Sequence, residues 1–282
     1  VALSSDGDTI VSGDSSGKVR LWDAATGEMR RDMQFGGDIV HSVALSSDGA
    51  FIVSGDESDY DDSGKVTLWD VASGEKRREM QCGGIAWSVA LSSDGATIVS
   101  GDGRNKVTLW DAATGEMRRE MRCGFRVRSV ALSSDGATIV SGDDSYKVTL
   151  WDVTTGEKRR EMQCGGAVKS VALSSDGATI VSGDSSKKVT LWDVATGEKR
   201  REMQCGGAVN SVALSSDGAT IVSGDGSGMV TLWDAATGEK RREMECGGLV
   251  RSVALSSDGA TIVSGDDSGT VTLWDAATGE KR

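Results

Sequence analysis

The heptapeptide VALSSDG occurs seven times in this chain, beginning at Val1, Val43, Val89, Val130, Val171, Val212 and Val253. Successive copies start 42, 46 and then four times 41 residues apart. Each copy runs on into IVSGD, then VTLWD or VRLWD, then a GE pair. A unit of this length cannot bury its own apolar faces, so the copies must pack on one another. That restricts the architecture far more than the length of 282 residues, which alone would suit two ordinary domains. Seven copies closing into a ring imply one domain over residues 1–282.

The copy around Val171 shows the unit. Val168 to Leu173 alternates and is rich in β-formers, which predicts a strand. Ser174-Ser175-Asp176-Gly177 follows, and Asp-Gly between two strands is a hairpin signal because Gly accepts positive φ. Thr179 to Ser182 and Val189 to Asp193 read as the second and third strands, separated by Gly183 to Lys187. Ala195 to Glu198 turns again, and Lys199 to Cys205 is a charged fourth strand. Connections this short force an antiparallel meander. A repeat of about 40–45 residues with a Trp-Asp pair predicts a four-stranded propeller blade. The expected fold is therefore all-β: a seven-bladed propeller of four-stranded antiparallel blades. The last copy stops just after its GEK, so its outer strand is expected to be incomplete.

Composition narrows the function. A formal charge of −12, from 31 basic and 43 acidic residues, disfavours sequence-blind binding to nucleic acid or an anionic membrane. Cys82, Cys123, Cys164, Cys205 and Cys246 occupy one place in the repeat, hence separate blades. Disulfide partners need Cα atoms within roughly 7 Å, so free, half-buried thiols and an intracellular, reducing compartment, the cytoplasm first, are expected. One thiol per blade and a single His, His41, make no zinc cluster. The Lys-Arg-Arg run of the fourth strand suits an outer edge, where cations deter edge-to-edge pairing. Pairing with the Glu residues of the same strand is expected to occupy those arginines. The tryptophans of the third strand, Trp22, Trp69, Trp110, Trp151, Trp192, Trp233 and Trp274, are expected to wedge between neighbouring blades.

The SSDG turn, the IVSGD segment, the LWD strand end and the following TGE together resemble the WD-repeat (WD40) β-propeller family, here with near-identical repeats. The resemblance covers the whole chain and implies a protein-interaction scaffold. Two departures matter. The Gly-His pair common before a first strand is Gly-Gly here, as at Gly83-Gly84 and Gly206-Gly207. The Asp common before the third strand is replaced by Ser16, Arg104, Ser145, Ser186, Ser227 and Ser268. The family's His–Asp–Ser–Trp hydrogen-bonded set is thus incomplete. Ser12, Ser182 and the tryptophans need other partners, for which Asp14 and Asp184 are the nearest candidates.

Variation between copies falls into two loops. One follows SGD, between the second and third strands. The other links the fourth strand to the next first strand. Immediately before the Ser of SVALS stand His41, Trp87, Arg128, Lys169, Asn210 and Arg251, and two residues earlier Ile39, Ile85, Arg126, Ala167, Ala208 and Leu249. In a meander alternate turns share an end, so both variable loops are expected on one face, the usual partner surface of the resembling family. Period-two alternation would make Arg126 and Arg128 project together at the channel. Tyr60, Trp87, Phe125 and Tyr146 belong to the second to fourth copies, with Arg104, Arg126 and Arg128 in the same sector. Exposed Trp, Tyr and Arg dominate binding hot spots.

The expected partner-binding residues are His41, Tyr60, Trp87, Arg104, Phe125, Arg126, Arg128, Tyr146, Lys169 and Arg251. The expected partner is a protein or peptide, with an acidic segment favoured by the basic mouth, and not nucleic acid or membrane. A passive scaffold held by its rim or invariant turns is the alternative. Catalysis is not expected, since no nucleophile–base set or phosphate loop is present, and no cofactor or metal is called for. The Asp of SGD (Asp14, Asp56, Asp102, Asp143, Asp184, Asp225, Asp266) reads as a turn-closing residue, since one carboxylate per blade cannot ligate Ca²⁺. Glu57 to Asp62 reads as a solvated acidic insertion.

Overall fold

The computed structural model describes residues 1–34, 39–57 and 63–282. Among these, six four-stranded and one three-stranded antiparallel sheets follow one another along the chain, each with its strands in sequence order. The fourth blade has strands Val127–Leu132, Thr138–Asp143, Lys147–Asp152 and Lys158–Gln163, from the channel outward. The three-stranded sheet is the seventh blade, whose third strand, Val271–Asp275, is followed only by an isolated bridge from Lys281 to Trp274. Trp87, His41 and Arg251, from the third, second and seventh blades, line one cavity, as a closed ring requires.

The turns that never vary are closed by their own side chains. Ser133 donates to the Asp135 carboxylate at 2.5 Å and accepts from the Thr138 N–H at 2.9 Å, while the Ala137 N–H donates to Asp135 at 2.9 Å. Gly136 completes the turn at φ 68°. The Asp of SGD behaves as its turn position suggests: Asp143 accepts from the Ser145 and Lys147 N–H groups at 2.9 and 3.1 Å.

The core lies between blades. Trp151 packs with Val99, Val107, Leu109 and Met121 of the preceding blade, and every other third-strand tryptophan among the core clusters is placed in the same way. Its indole N–H donates to Ser141 at 2.8 Å. The expected aspartate partner is corrected here. The serine's other neighbour is the thiol of the preceding blade, with Cys123, Cys164 and Cys205 lying 3.6, 3.7 and 3.7 Å from Ser141, Ser182 and Ser223. The aspartates are turned instead into their own loops. All five cysteines are free, and burial pushes Cys82 up to about 12 and Cys123, Cys164 and Cys205 up to about 11.

Two further rings tie blade to blade. The Val130, Val171, Val212 and Val253 N–H groups each donate at 3.0 Å to the Ser before the first-strand Val of the preceding blade. The same Ser of the last blade, Ser252, accepts from the Val1 amine at 3.0 Å, and Ser257 donates to the Ser5 carbonyl, which joins the last blade to the first. Outside, Arg119 reaches the Thr154 and Thr155 carbonyls of the next blade at 2.7 and 2.6 Å.

The pairing expected along the fourth strand takes another form. The glutamates bind lysines, as Glu161 does with Lys147 and Lys158. The first arginine of each run instead binds the Asp of the Trp-Asp pair, from Arg30–Asp23 to Arg282–Asp275. Asp23, Asp111 and Asp275 are pulled down to about 2, chiefly by the guanidinium and then by a turn N–H. Asp70, Asp152, Asp193 and Asp234 also reach about 2, with the turn N–H first and the guanidinium second. A carboxylate depressed in the folded state stabilises above its unfolded value of about 4, and that stabilisation is lost as pH falls toward the folded value. The contribution of these seven pairs to the melting temperature is expected to be constant above about pH 5 and to be lost steeply between about pH 4 and pH 2. A calorimetric pH series showing no drop in that window would mean the seven pairs do not form in solution.

Candidate functional site: the channel mouth and its loops

Both variable loops sit at one end of the disc because they are bonded to each other. The Gly103, Asp144, Ser185, Gly226 and Asp267 N–H groups donate to the Ile85, Arg126, Ala167, Ala208 and Leu249 carbonyls, at 2.9, 3.1, 2.9, 2.9 and 3.0 Å. The invariant turns are joined in the same way at the other end, where the Val153 N–H donates to the Ala137 carbonyl at 3.0 Å.

The hypervariable residue before the Ser of SVALS has a distinctive backbone position. In the fourth blade Val127 pairs with Asp143 and Ser129 with Gly142, so Arg128 is the extra residue of a β-bulge. His41, Trp87, Lys169, Asn210 and Arg251 occupy the same bulge in their blades. A bulge breaks the two-residue alternation and re-aims a side chain. This corrects the expectation that Arg126 and Arg128 project together. Arg128 lines the channel, while Arg126 precedes the strand, is exposed, and is not among the lining residues.

Within the channel mouth a polar cavity of about 150 Å³ is lined by His41, Trp87, Arg128, Asn210 and Arg251, among others. Trp87 lies between its two neighbours. The His41 ring centroid is 4.4 Å away at 46°, and the Arg128 guanidinium is 4.7 Å from the indole centroid on a cation–π contact. His41 Nε2 is 2.8 Å from the Glu57 carboxylate. Arg128 donates from Nε to both Asp144 oxygens, at 2.9 and 3.1 Å, and from an Nη at 2.9 Å. The Trp87 indole N–H is buried without an acceptor among the described residues.

The remaining expected residues lie outside that cavity. Phe125 and Tyr146 are 59% and 47% exposed at the loops of the fourth blade, and Tyr146 holds φ 70°, a left-handed conformation rare for a bulky residue. Arg104 is exposed on the third blade. Lys169 is half-buried at its bulge. Tyr60 lies outside the described residues, as does most of the acidic insertion.

One relation escaped the sequence reading. The bulge residue and the first residue after SGD of its own blade vary together: His41 with Glu57, Trp87 with Gly103, Arg128 with Asp144, Lys169 with Ser185, Asn210 with Gly226, Arg251 with Asp267. The first three pairs meet in the structure. A Cβ at Gly103 would lie 3.2 Å from the Trp87 indole nitrogen, which explains why the bulkiest bulge residue faces a glycine. The signal was present as a constant separation of 16 residues, from Arg128 to Asp144 for example. It could be seen only by comparing the two loops copy by copy.

None of the curated proteins compared matches this chain. Among the described residues no helix is long and apolar enough to cross a membrane. A family model described as the IFT122 first beta-propeller matches residues 1–275, and a propeller of that type points to a protein-interaction or scaffold role. With seven blades, a Trp-Asp pair closing each third strand and this match over most of its length, the chain is a WD-repeat β-propeller and belongs to the IFT122 first beta-propeller family.

Proposed function

We propose that this propeller is a non-catalytic recognition module that binds a protein or peptide on its variable-loop face. The observation that carries the reading is the His41–Trp87–Arg128 stack, contributed by three successive blades. A large aromatic held rigidly at a concave mouth loses little conformational freedom on binding, which is why such residues become hot spots. Phe125, Tyr146, Arg104 and Arg126 extend that surface over the adjoining loops as exposed side chains. The basic side chains at the mouth favour an acidic partner segment. The rim arginines are a weaker candidate, because they are already bonded to the Trp-Asp aspartates and to neighbouring turns. Five free thiols suit the reducing compartment in which we place the interaction.

The test is a triple substitution, Trp87→Ala with Arg126→Ala and Arg128→Ala. Partner affinity is expected to fall by at least about 100-fold, close to 2.7 kcal/mol, with melting temperature within a few degrees of the parent. A photo-crosslinker at position 146 should capture the same partner as the parent chain. Crosslinks confined to the SSDG turns or the Lys-Arg-Arg strands, with affinity unchanged in the triple variant, would favour a scaffold held by its invariant surfaces.

A further inference from the structure

We propose that the channel mouth is a carboxylate-binding site in which Arg251 at the cavity wall and Lys169 at the bulge beside it, outside the cavity, supply the charge, while His41 and Arg128 act as braces for Trp87. This rests on the recognition reading above and goes further by naming the chemical group that enters and the side chains that meet it.

The division follows from what each bulge residue already binds. Arg128 spends its fork on Asp144 through three hydrogen bonds, and its face on Trp87. A guanidinium chelated in this way is neutralised and fixed in place. His41 is held similarly between Glu57 and the same indole. The opposite arc differs. In the fifth blade the residue at the matching position is Ser185, which carries no charge, and its hydroxyl accepts the Ala167 N–H at 2.9 Å. Lys169 therefore stands at its bulge with no ion pair among the described residues. In the seventh blade Asp267 turns one oxygen to the Leu249 N–H at 2.8 Å, and Arg251 likewise makes no ion pair among the described residues. Between them in the sixth blade, Asn210 donates to the Val250 carbonyl at 2.9 Å, which joins this arc across two blades. One half of the mouth is thus an aromatic wall with its charges satisfied. On the other side Arg251 at the cavity wall and Lys169 at the bulge beside it carry no counter-charge among the described residues.

Size limits what can enter. The cavity is small, about 150 Å³. That is room for one acidic side chain or a chain terminus, not for a strand or helix. The rest of the partner must then lie across the loops outside.

Two sources can supply the carboxylate, and the test separates them. One probe is an N-acetylated, C-amidated hexaglutamate peptide. The other is an N-acetylated Gly-Ser peptide ending in a free carboxylate, compared with its amide. Binding is read by fluorescence anisotropy at low and moderate salt. At least one probe is expected to bind the parent chain, with affinity falling as salt rises. Lys169→Gln and Arg251→Gln should each weaken it at least fivefold, while the rim change Lys199→Gln leaves it unaltered. Which probe binds identifies an acidic side chain or a terminus as the source. The proposal is overturned if neither probe binds, or if Lys169→Gln and Arg251→Gln, folded by circular dichroism, bind like the parent. Loss of partner in the Trp87, Arg126, Arg128 variant alongside either of those results would leave the recognition face standing and remove only the carboxylate site.

Discussion

Replacing Trp192 with Ala is expected to cost about 3–5 kcal/mol in a denaturant titration. The side chain is 4% exposed and packs against Val140, Val148, Leu150, Met162 and Val168 of the two blades it joins. Its removal opens a cavity between blades that near-identical neighbours on both sides cannot close by shifting. It also removes the donor bound to Ser182 at 2.8 Å. The companion change Ser182→Ala keeps the wedge and leaves the buried indole N–H unpaired, for a smaller loss of about 1–3 kcal/mol. A Trp192→Ala loss below about 1 kcal/mol, or one no larger than that of Ser182→Ala, would show that the tryptophans are not the principal packing element.

Gly183→Ala is expected to destabilise by about 1–3 kcal/mol, although it adds a single methyl group. The reason is proximity and not backbone conformation. A Cβ there would fall 2.4 Å from Cγ1 of Val209 and 3.0 Å from Cγ1 of Val212, both in the next blade's inner strand. The same approach recurs at Gly101, Gly142 and Gly224, so the Gly of SGD sets how closely successive blades can stack. Adding Val209→Ala to Gly183→Ala should recover part of the loss, because the truncated valine leaves space for the new methyl. Additive losses in that double-mutant cycle would contradict the contact.

These two effects show what the sequence carries openly. The repeat, the four strands and the hairpin turns could be read from one copy. Val168 to Leu173 is reproduced to the residue, whereas the second strand extends beyond Ser182 to Asp184. The wedge position of the tryptophans followed from their size and regular recurrence. What the sequence concealed are contacts between residues that no local pattern links. The Cys164–Ser182 approach spans 18 positions and two blades. The Arg119 clamp reaches 35 and 36 positions ahead to the Thr154 and Thr155 carbonyls. Alternation failed at Arg128 because a bulge inserts one residue where period-two logic assumes none. In the candidate site, residue types and the shared end of the loops were legible. The separation of Arg128 from Arg126, and the pairing of Arg128 with Asp144 and of His41 with Glu57, were not.

Everything said of the mouth requires the last blade to lie against the first, so that side chains of the second, third, fourth, sixth and seventh blades face one cavity. Ser5 and Ser257, 252 residues apart, meet at that junction through the Ser257 hydroxyl and the Ser5 carbonyl. The direct test replaces both with Cys and follows disulfide formation under mild oxidation, the native thiols being mostly buried. A closed ring gives a rapid intramolecular 5–257 crosslink in the monomer. An open superhelix gives no such bond, or only crosslinks between molecules, and the shared channel mouth would not exist.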